Sequence, residues 1–362
     1  MAVSSWGVND PIARKTWATK LFVDITANTF WGKFVGKTSS SMIQWKDETS
    51  KGKGDRVTVG LRTLLTGNGT QGDDTLEGNE EALTTYTMNL VIDQLRHAVR
   101  SGGKMSEQRV PFDVRDECRG ALQDWWTERL DTSMANQLAG NTGQSDTRFT
   151  GNQATTAPSS ANSVTRIIVG GDHAGEASLS ATTTHIIGFR ELDKCVALAK
   201  VQSPRIRPIR VDGSEYYVSF LHPYQIYQMR RNDTGNAGFY DVYKAAMQGG
   251  KISDNPIIQG ANFIYNNVIV HEWAYIPTTV NAPVSQASYR RGVFCGAQAA
   301  VFATGMDGSP TKMDWVEEYF DYENQLGVAA GMIFGIKKSI FNSNDYATIA
   351  LAGYAPAPTG TV

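Results

Sequence analysis

The chain has 362 residues, 41% of them hydrophobic and 19% charged, enough for about two domains with cores of their own. Its 34 basic and 36 acidic residues leave a formal net charge of -2, which argues against a free-standing nucleic-acid binder and its strong basic excess. Three widely spaced cysteines (Cys118, Cys195 and Cys295) with no CxxC argue against a disulfide framework or a zinc cluster and point to a reducing compartment.

The first fifty residues carry Trp6, Trp17, Phe22, Phe30, Trp31, Phe34 and Trp45, with four of the chain's eight tryptophans among them. Met1–Asp10 lacks a basic stretch followed by an apolar run, so no secretory signal is expected. Pro11–Asn28 reads as a short helix, with Asn9 or Asp10 as N-cap and Pro11 in its first turn. Such large aromatics have apolar area to bury, against their own domain or against a neighbouring copy. Both destinations stay open on these residues alone.

Arg56–Leu65 and Leu83–Val99 read as two long strands. In the second, Tyr86, Met88, Leu90 and Ile92 alternate with polar or smaller residues. Thr66–Glu81 between them is rich in Gly, Asn and Asp. The result is a long hairpin with no obvious partner sheet, and a lone two-stranded hairpin is marginal in water. Its charges are segregated. Lys51, Lys53, Arg56 and Arg62 ascend, whereas Asp73, Asp74, Glu77, Glu80 and Glu81 occupy the tip and descending side. These are either a solvated loop or complementary charges that set register between copies.

A helix is expected over residues 111–140, opened by Pro111 and closed by Gly140 and Asn141. Its apolar face holds Cys118, Leu122, Trp125, Leu130, Met134 and Leu138. At 1.5 Å per residue it would be roughly 40 Å long. Thr142–Ser163 follows as a polar loop. Beyond Ile167 the pattern is of mixed helices and strands: a helix over Gly188–Lys200, strands Ile209–Val211 and Tyr216–Leu221 flanking a turn at Asp212-Gly213, and helices Gln225–Arg231 and Tyr240–Gln248. Strands are expected at Ile257–Ile258, Phe263–Tyr265, Val268–His271 and Val293–Ala303. Asp314–Ile340 begins acidic and ends apolar. Its run Leu326–Ile336 is too short to span a bilayer and reads as a buried strand.

Catalytic signatures are scarce. Residues 67–72 satisfy GxGxxG, but Asp73-Asp74 follow where a helix N-terminus would meet a phosphate, so the segment reads as a loop tip. His173 and His185 lie near Asp172 and Glu176, yet no HExxH or similar pair is present, and polar loop histidines are usually structural. His271-Glu272 reads as a packed strand edge. There is no GxSxG and no P-loop. No enzymatic activity, cofactor or metal is expected.

The arm Pro11–Phe34, the hairpin Arg56–Gly103, the helix Pro111–Gly140, and the segments Val211–Arg231, Arg290–Gly305 and Trp315–Ile336 together resemble the major capsid proteins of tailed bacteriophages. The similarity is greatest to the N-four-like group. It rests on the order and character of segments across nearly the whole chain. It implies an α+β, HK97-like fold with residues 1–50 as N-terminal arm and 51–105 as extended loop. Residues 106–187 would be a peripheral domain holding spine helix 111–140 and a loop insertion, and 188–305 mainly an axial domain. Residues 306–362 would return to the peripheral domain and end in a tail.

By the same resemblance the chain would self-assemble through pentamers and hexamers into an icosahedral head in the virion, built in the host cytoplasm. That head would enclose double-stranded DNA behind a near-neutral wall without sequence-specific binding, and no membrane would be involved. Trp6, Trp17, Phe22, Trp31, Arg56, Arg62, Asp73, Asp74, Glu77, Glu80 and Glu81 are the expected inter-subunit contacts. No long charged helical region precedes the arm, so a separate scaffolding protein is expected beside portal and decoration proteins. An encapsulin-like compartment shell is the alternative within the same fold.

Overall fold

The computed structural model describes residues 21–46, 55–159, 165–171, 173, 175–181, 183–211, 213–231, 262–278, 288–305 and 313–358. Trp6, Trp17, Lys51, Lys53, the helix expected at Tyr240–Gln248 and the strand expected at Ile257–Ile258 lie outside these residues.

Helix α1 over residues 21–28 and a 3₁₀ turn at Phe30–Phe34 lead into strands β1 (Val35–Gly36) and β2 (Ile43–Lys46). Strands β3 (Arg56–Arg62), β4 (Thr85–Val91) and β5 (Asp93–Arg100) follow, then α2 (Lys104–Arg109) and the long α3 (Val114–Ala139). Next come β6 (Ile167–Val169), α4 (Phe189–Val201), β7 (Ile209–Val211), β8 (Ser214–Leu221) and α5 (Pro223–Arg231). The chain continues through β9 (Phe263–Tyr265), β10 (Val268–Glu272), β11 (Tyr289–Cys295), β12 (Ala300–Thr304), β13 (Asp314–Phe320) and β14 (Gln325–Lys338). It closes with β15 (Ile340–Phe341), β16 (Asn344–Asp345) and β17 (Thr348–Tyr354).

Two sheets organise these elements. In the first, β14 is the spine: β5 pairs along one edge, β13 along the other, and β12 joins its C-terminal end, with β2 and β1 added in parallel beyond β12. The second runs β6-β17-β11-β8-β10-β9, with β7 on β8. Helix α3 packs against β14 and β5 of the first sheet and β11 of the second. One apolar core, from Leu21 to Leu351, runs through both.

The local chemistry of α3 explains its limits. Asp113 caps its N-terminus by accepting from the Arg115 N–H at 2.8 Å. Gly140 ends it in the left-handed region at φ 64, where an added Cβ would lie 2.5 Å from the Thr156 carbonyl. The buried stripe is Cys118, Leu122, Trp126, Leu130, Met134 and Leu138, spaced four apart throughout. A four-residue step overshoots one helical turn, so the stripe winds around the axis as the helix passes from one sheet to the other. Trp125, expected on this face, is half-buried instead and stacks on His97 with ring centroids 4.3 Å apart.

Two expected strands are divided where the chain changes sheet. The strand expected as Leu83–Val99 breaks at Ile92, whose N–H donates to the Asp55 carbonyl, so β4 stays in the hairpin while β5 enters the first sheet. The strand expected as Val293–Ala303 divides between β11 in the second sheet and β12 in the first. Gly296 makes that crossing, where a Cβ would meet Arg207 backbone at 2.4 Å. Of the closing strands, β13 and β14 lie in the first sheet and β17 in the second, between β6 and β11. β2 and β5 are integral strands of the first sheet.

Candidate assembly surfaces

Hairpin β3–β4 is a two-stranded sheet of its own, in register from Arg56↔Val91 to Arg62↔Thr85. Its root is not unsupported. Val57, Met88 and Leu90 are buried in the main core, and Lys337 of β14 donates to the Asn89 carbonyl at 2.7 Å. The outer half leaves that support. Thr63 N–H and hydroxyl both bond the Thr84 carbonyl, closing the ladder, and residues 64–83 beyond are almost all exposed.

The tip carries a feature the charge pattern hid. Leu64, at 85% exposure, is joined by exposed Leu65, Leu76 and Leu83. All four stand in water on one loop, apolar area that contact with another surface would bury. The signal was present in the sequence as apolar residues inside a Gly/Asn/Asp-rich stretch.

The expected charged contacts separate into two groups. Glu81 belongs to the tip itself: its carboxylate accepts from Thr66 N–H at 2.8 Å and Gly67 N–H at 2.6 Å, bonds that hold its pKa below the usual range. Glu80 likewise accepts from Gly78 N–H at 2.7 Å. The Glu81 carboxylate thereby occupies the Gly67 N–H, the first backbone donor of the GxGxxG segment. Asp73, Asp74, Glu77 and Arg62 are exposed, and among the described residues no hydrogen bond or ion pair engages their side chains. Arg56 reaches Asp55 at 3.9 Å, both well exposed.

The expected aromatic contacts also divide. Trp31 is buried in the chain's own core, its ring 5.1 Å from Phe302, because the 3₁₀ turn aims it under β12. Phe22 is half-buried against Trp45, centroids 6.2 Å apart. The base of the arm is fixed to α3 at two places. Arg119 pairs with Asp24, and the buried Asp131 carboxylate accepts from Phe30 N–H at 3.1 Å. Burial pushes the Asp131 carboxyl up to about 7, with the N–H groups of Phe30 and Trp31 pulling the other way.

Buried polar groups clamp the scaffold behind these surfaces. Arg291 of β11 donates to Glu176 at 2.6 Å and to the Gly140 carbonyl at 2.8 Å, so one guanidinium ties the second sheet to the C-terminal end of α3. Lys338 pairs with Asp345 at 2.8 Å where the chain leaves the first sheet. Arg115, near the start of α3, donates to Glu317 of β13 at 2.9 Å.

His173 and His185 have ring centroids 3.9 Å apart. His185 Nδ1 accepts from Ser180 N–H at 2.7 Å, which places the proton on Nε2 rather than leaving that nitrogen to a metal. Among the described residues no group of three or more His, Cys, Asp or Glu is placed to hold a metal ion. The three cysteines are buried and unpaired. No helix among the described residues is long and apolar enough to cross a membrane.

Comparison with known proteins gives a consistent set. A family model described as phage capsid protein matches residues 5–357. The major capsid protein of Pseudomonas phage KPP25 is 28% identical over 355 residues, 91% of this chain and 90% of that protein. The solved capsid of Ralstonia phage GP4 has a TM-score of 0.79 and 31% identity, covering 99% of this chain and 100% of that one. The capsid asymmetric unit of cyanophage Pam1 follows with a TM-score of 0.72 and 22% identity over 99% and 100%.

Proposed function

The chain belongs to the phage capsid protein family, and from that premise we propose how its surfaces divide the work of building a shell. It is a phage major capsid protein with an HK97-like α+β fold, and its place is the virion shell. The relatives named above are phage capsids, which removes support from the encapsulin-like alternative.

Self-association follows from the role. In the finer reading, copies group as hexamers and pentamers that tile a closed icosahedral head in the host cytoplasm. Each copy adds several modest contacts, and closure multiplies them. The head holds double-stranded DNA without reading its sequence, in keeping with a net charge of -2. A separate scaffolding protein, a portal and decoration proteins complete the assembly.

One observation carries the assignment of surfaces: a hairpin buried at its root presents four exposed leucines at its tip. Buried root residues fix where the tip points, and a fixed apolar tip calls for a partner surface on an adjacent copy. Asp73, Asp74, Glu77 and Arg62 then set register at its rim. Glu80 and Glu81 shape the tip rather than touch the partner, and Trp31 anchors the arm to its own subunit. Trp6, Trp17 and Phe22 remain the arm's proposed contacts.

Electron microscopy of the expressed chain tests the reading. Deleting residues 66–81 and replacing Leu64, Leu65 and Leu83 by Ser removes all four leucines but keeps the Thr63–Thr84 closure, so the subunit is expected to fold with unchanged circular dichroism while closed shells fail or become irregular. Regular shells from the deletion variant would remove the tip from the assembly contacts.

A further inference from the structure

The β13–β14 turn sits at the opposite edge of the first sheet from any role given so far. Its residues Asp321, Tyr322 and Glu323 take φ of 51, 51 and 65 in succession. Three consecutive non-glycine residues in the left-handed region are costly, and a tyrosine there more so than Asp or Asn. The Tyr322 ring is nonetheless fully exposed, and among the described residues it repays nothing.

Around it, exposed Phe320 and Val316 share one face of β13 while exposed Tyr319 projects from the other, and exposed Met105 lies in the first turn of α2. Helix α2 abuts the turn, with Lys104 N–H on the Asn324 side chain at 3.3 Å. Arg100 of β5 lies over the Phe320 ring, 4.3 Å from its centroid. The surface is therefore held together by its own contacts. Its charges are split by position. Arg96, Arg100 and Lys104 lie on the β5–α2 side, and Glu318, Asp321 and Glu323 on the β13 side, all exposed.

We infer that this end of the sheet is a homotypic interface, in which the same patch of a second copy docks with its acidic side on the first copy's basic side. A patch with exposed apolar side chains and opposite charges on its two flanks is complementary to itself after rotation. Tyr322, preset in an unfavourable backbone conformation, acts as the projecting anchor, a role in which a rigid aromatic side chain loses little entropy. The inference rests on the shell reading for the identity of the partner, but it concerns a surface independent of the β3–β4 tip.

Two kinds of variant test it. Tyr322→Gly removes the anchor and relieves the strained turn, so thermal stability of the unassembled subunit should hold or rise while the yield of closed shells falls about tenfold. A purely structural role would lower both together. Glu323→Lys and Lys104→Glu, whose side chains have no partner among the described residues, should each fail to assemble alone. Mixed in equal amounts they should co-assemble, because each supplies the charge the other lost. Wild-type shells in the same conditions are the control for the shell reading itself. Normal assembly of each charge variant alone, or no recovery on mixing, overturns the homotypic contact, as does binding of only a different protein at this patch.

Discussion

Asp131 shows how one side chain couples the arm to the spine. It lies buried in α3, accepts from Phe30 N–H, and has a carboxyl pushed up to about 7 by burial. Its unfolded value is near 3.9, so between about pH 4 and 7 the folded state binds more protons than the unfolded one. The cost of its charge is absent below that window and complete above it, and this group alone makes stability fall as pH rises through it. His222 works in the other direction, its pKa lowered to about 4 by burial and the nearby Arg290, so its neutral form is lost on acidification. Comparing wild type with Asp131→Asn isolates the first effect. The variant keeps an oxygen for Phe30 N–H and should be as stable or more stable at pH 8, by on the order of a few kcal/mol, with the difference vanishing near pH 4. Denaturant titration of unassembled subunits at both pH values measures it. A wild-type-to-variant difference that does not change with pH would remove Asp131 as the titrating group.

Among the elements, α3 and the hairpin show what the sequence made legible and what it withheld. Helix α3 was readable from Pro111, Gly140 and its apolar spacing, and the ends differ by only a few residues. The choice between Trp125 and Trp126 was not readable, because adjacent tryptophans sit about 100° apart on a helix and only the packed sheet selects one. Trp126→Ala should therefore cost about 3–5 kcal/mol. Trp125→Ala should cost less, about 1–2 kcal/mol, since it loses the His97 stack, the Arg129 contact and an edge contact with Trp126 at the margin of the core. Thermal melts that rank the two in the reverse order would contradict the assigned face. In the hairpin, alternation revealed both strands, but the break at Ile92 shows only as a change of phase, from even inward positions in β4 (Tyr86, Met88, Leu90) to odd ones in β5 (Leu95, Val99), and one continuous strand over Leu83–Val99 passes over it. The charge run was equally visible, yet the use of Glu81 as an internal clamp on Thr66 and Gly67 depends on a tip geometry that no spacing rule encodes.

For the whole molecule, one buried core runs through both sheets. Val328 and Met332 of the first sheet and Val218 and Val293 of the second belong to one buried cluster. The chain crosses between sheets at Gly296 and again between β14 and β17, and Arg291 bonds the second sheet to the end of α3. Linear order hides the first of these crossings, because β11 and β12 read as one apolar run. A shared core makes opening of one sheet expose the apolar face of the other, so the two should unfold as a single cooperative unit. Hairpin β3–β4 is different: two strands, a buried root and an exposed outer half give it few contacts to lose. Native-state hydrogen exchange on unassembled subunits should show amides of β14 and β11 opening with the same free energy and the same denaturant dependence. Amides of the outer hairpin should exchange earlier through a smaller opening. If β11 opened at denaturant concentrations that left β14 protected, the sheets would be independent units, and the clamp at Arg291 would not couple them.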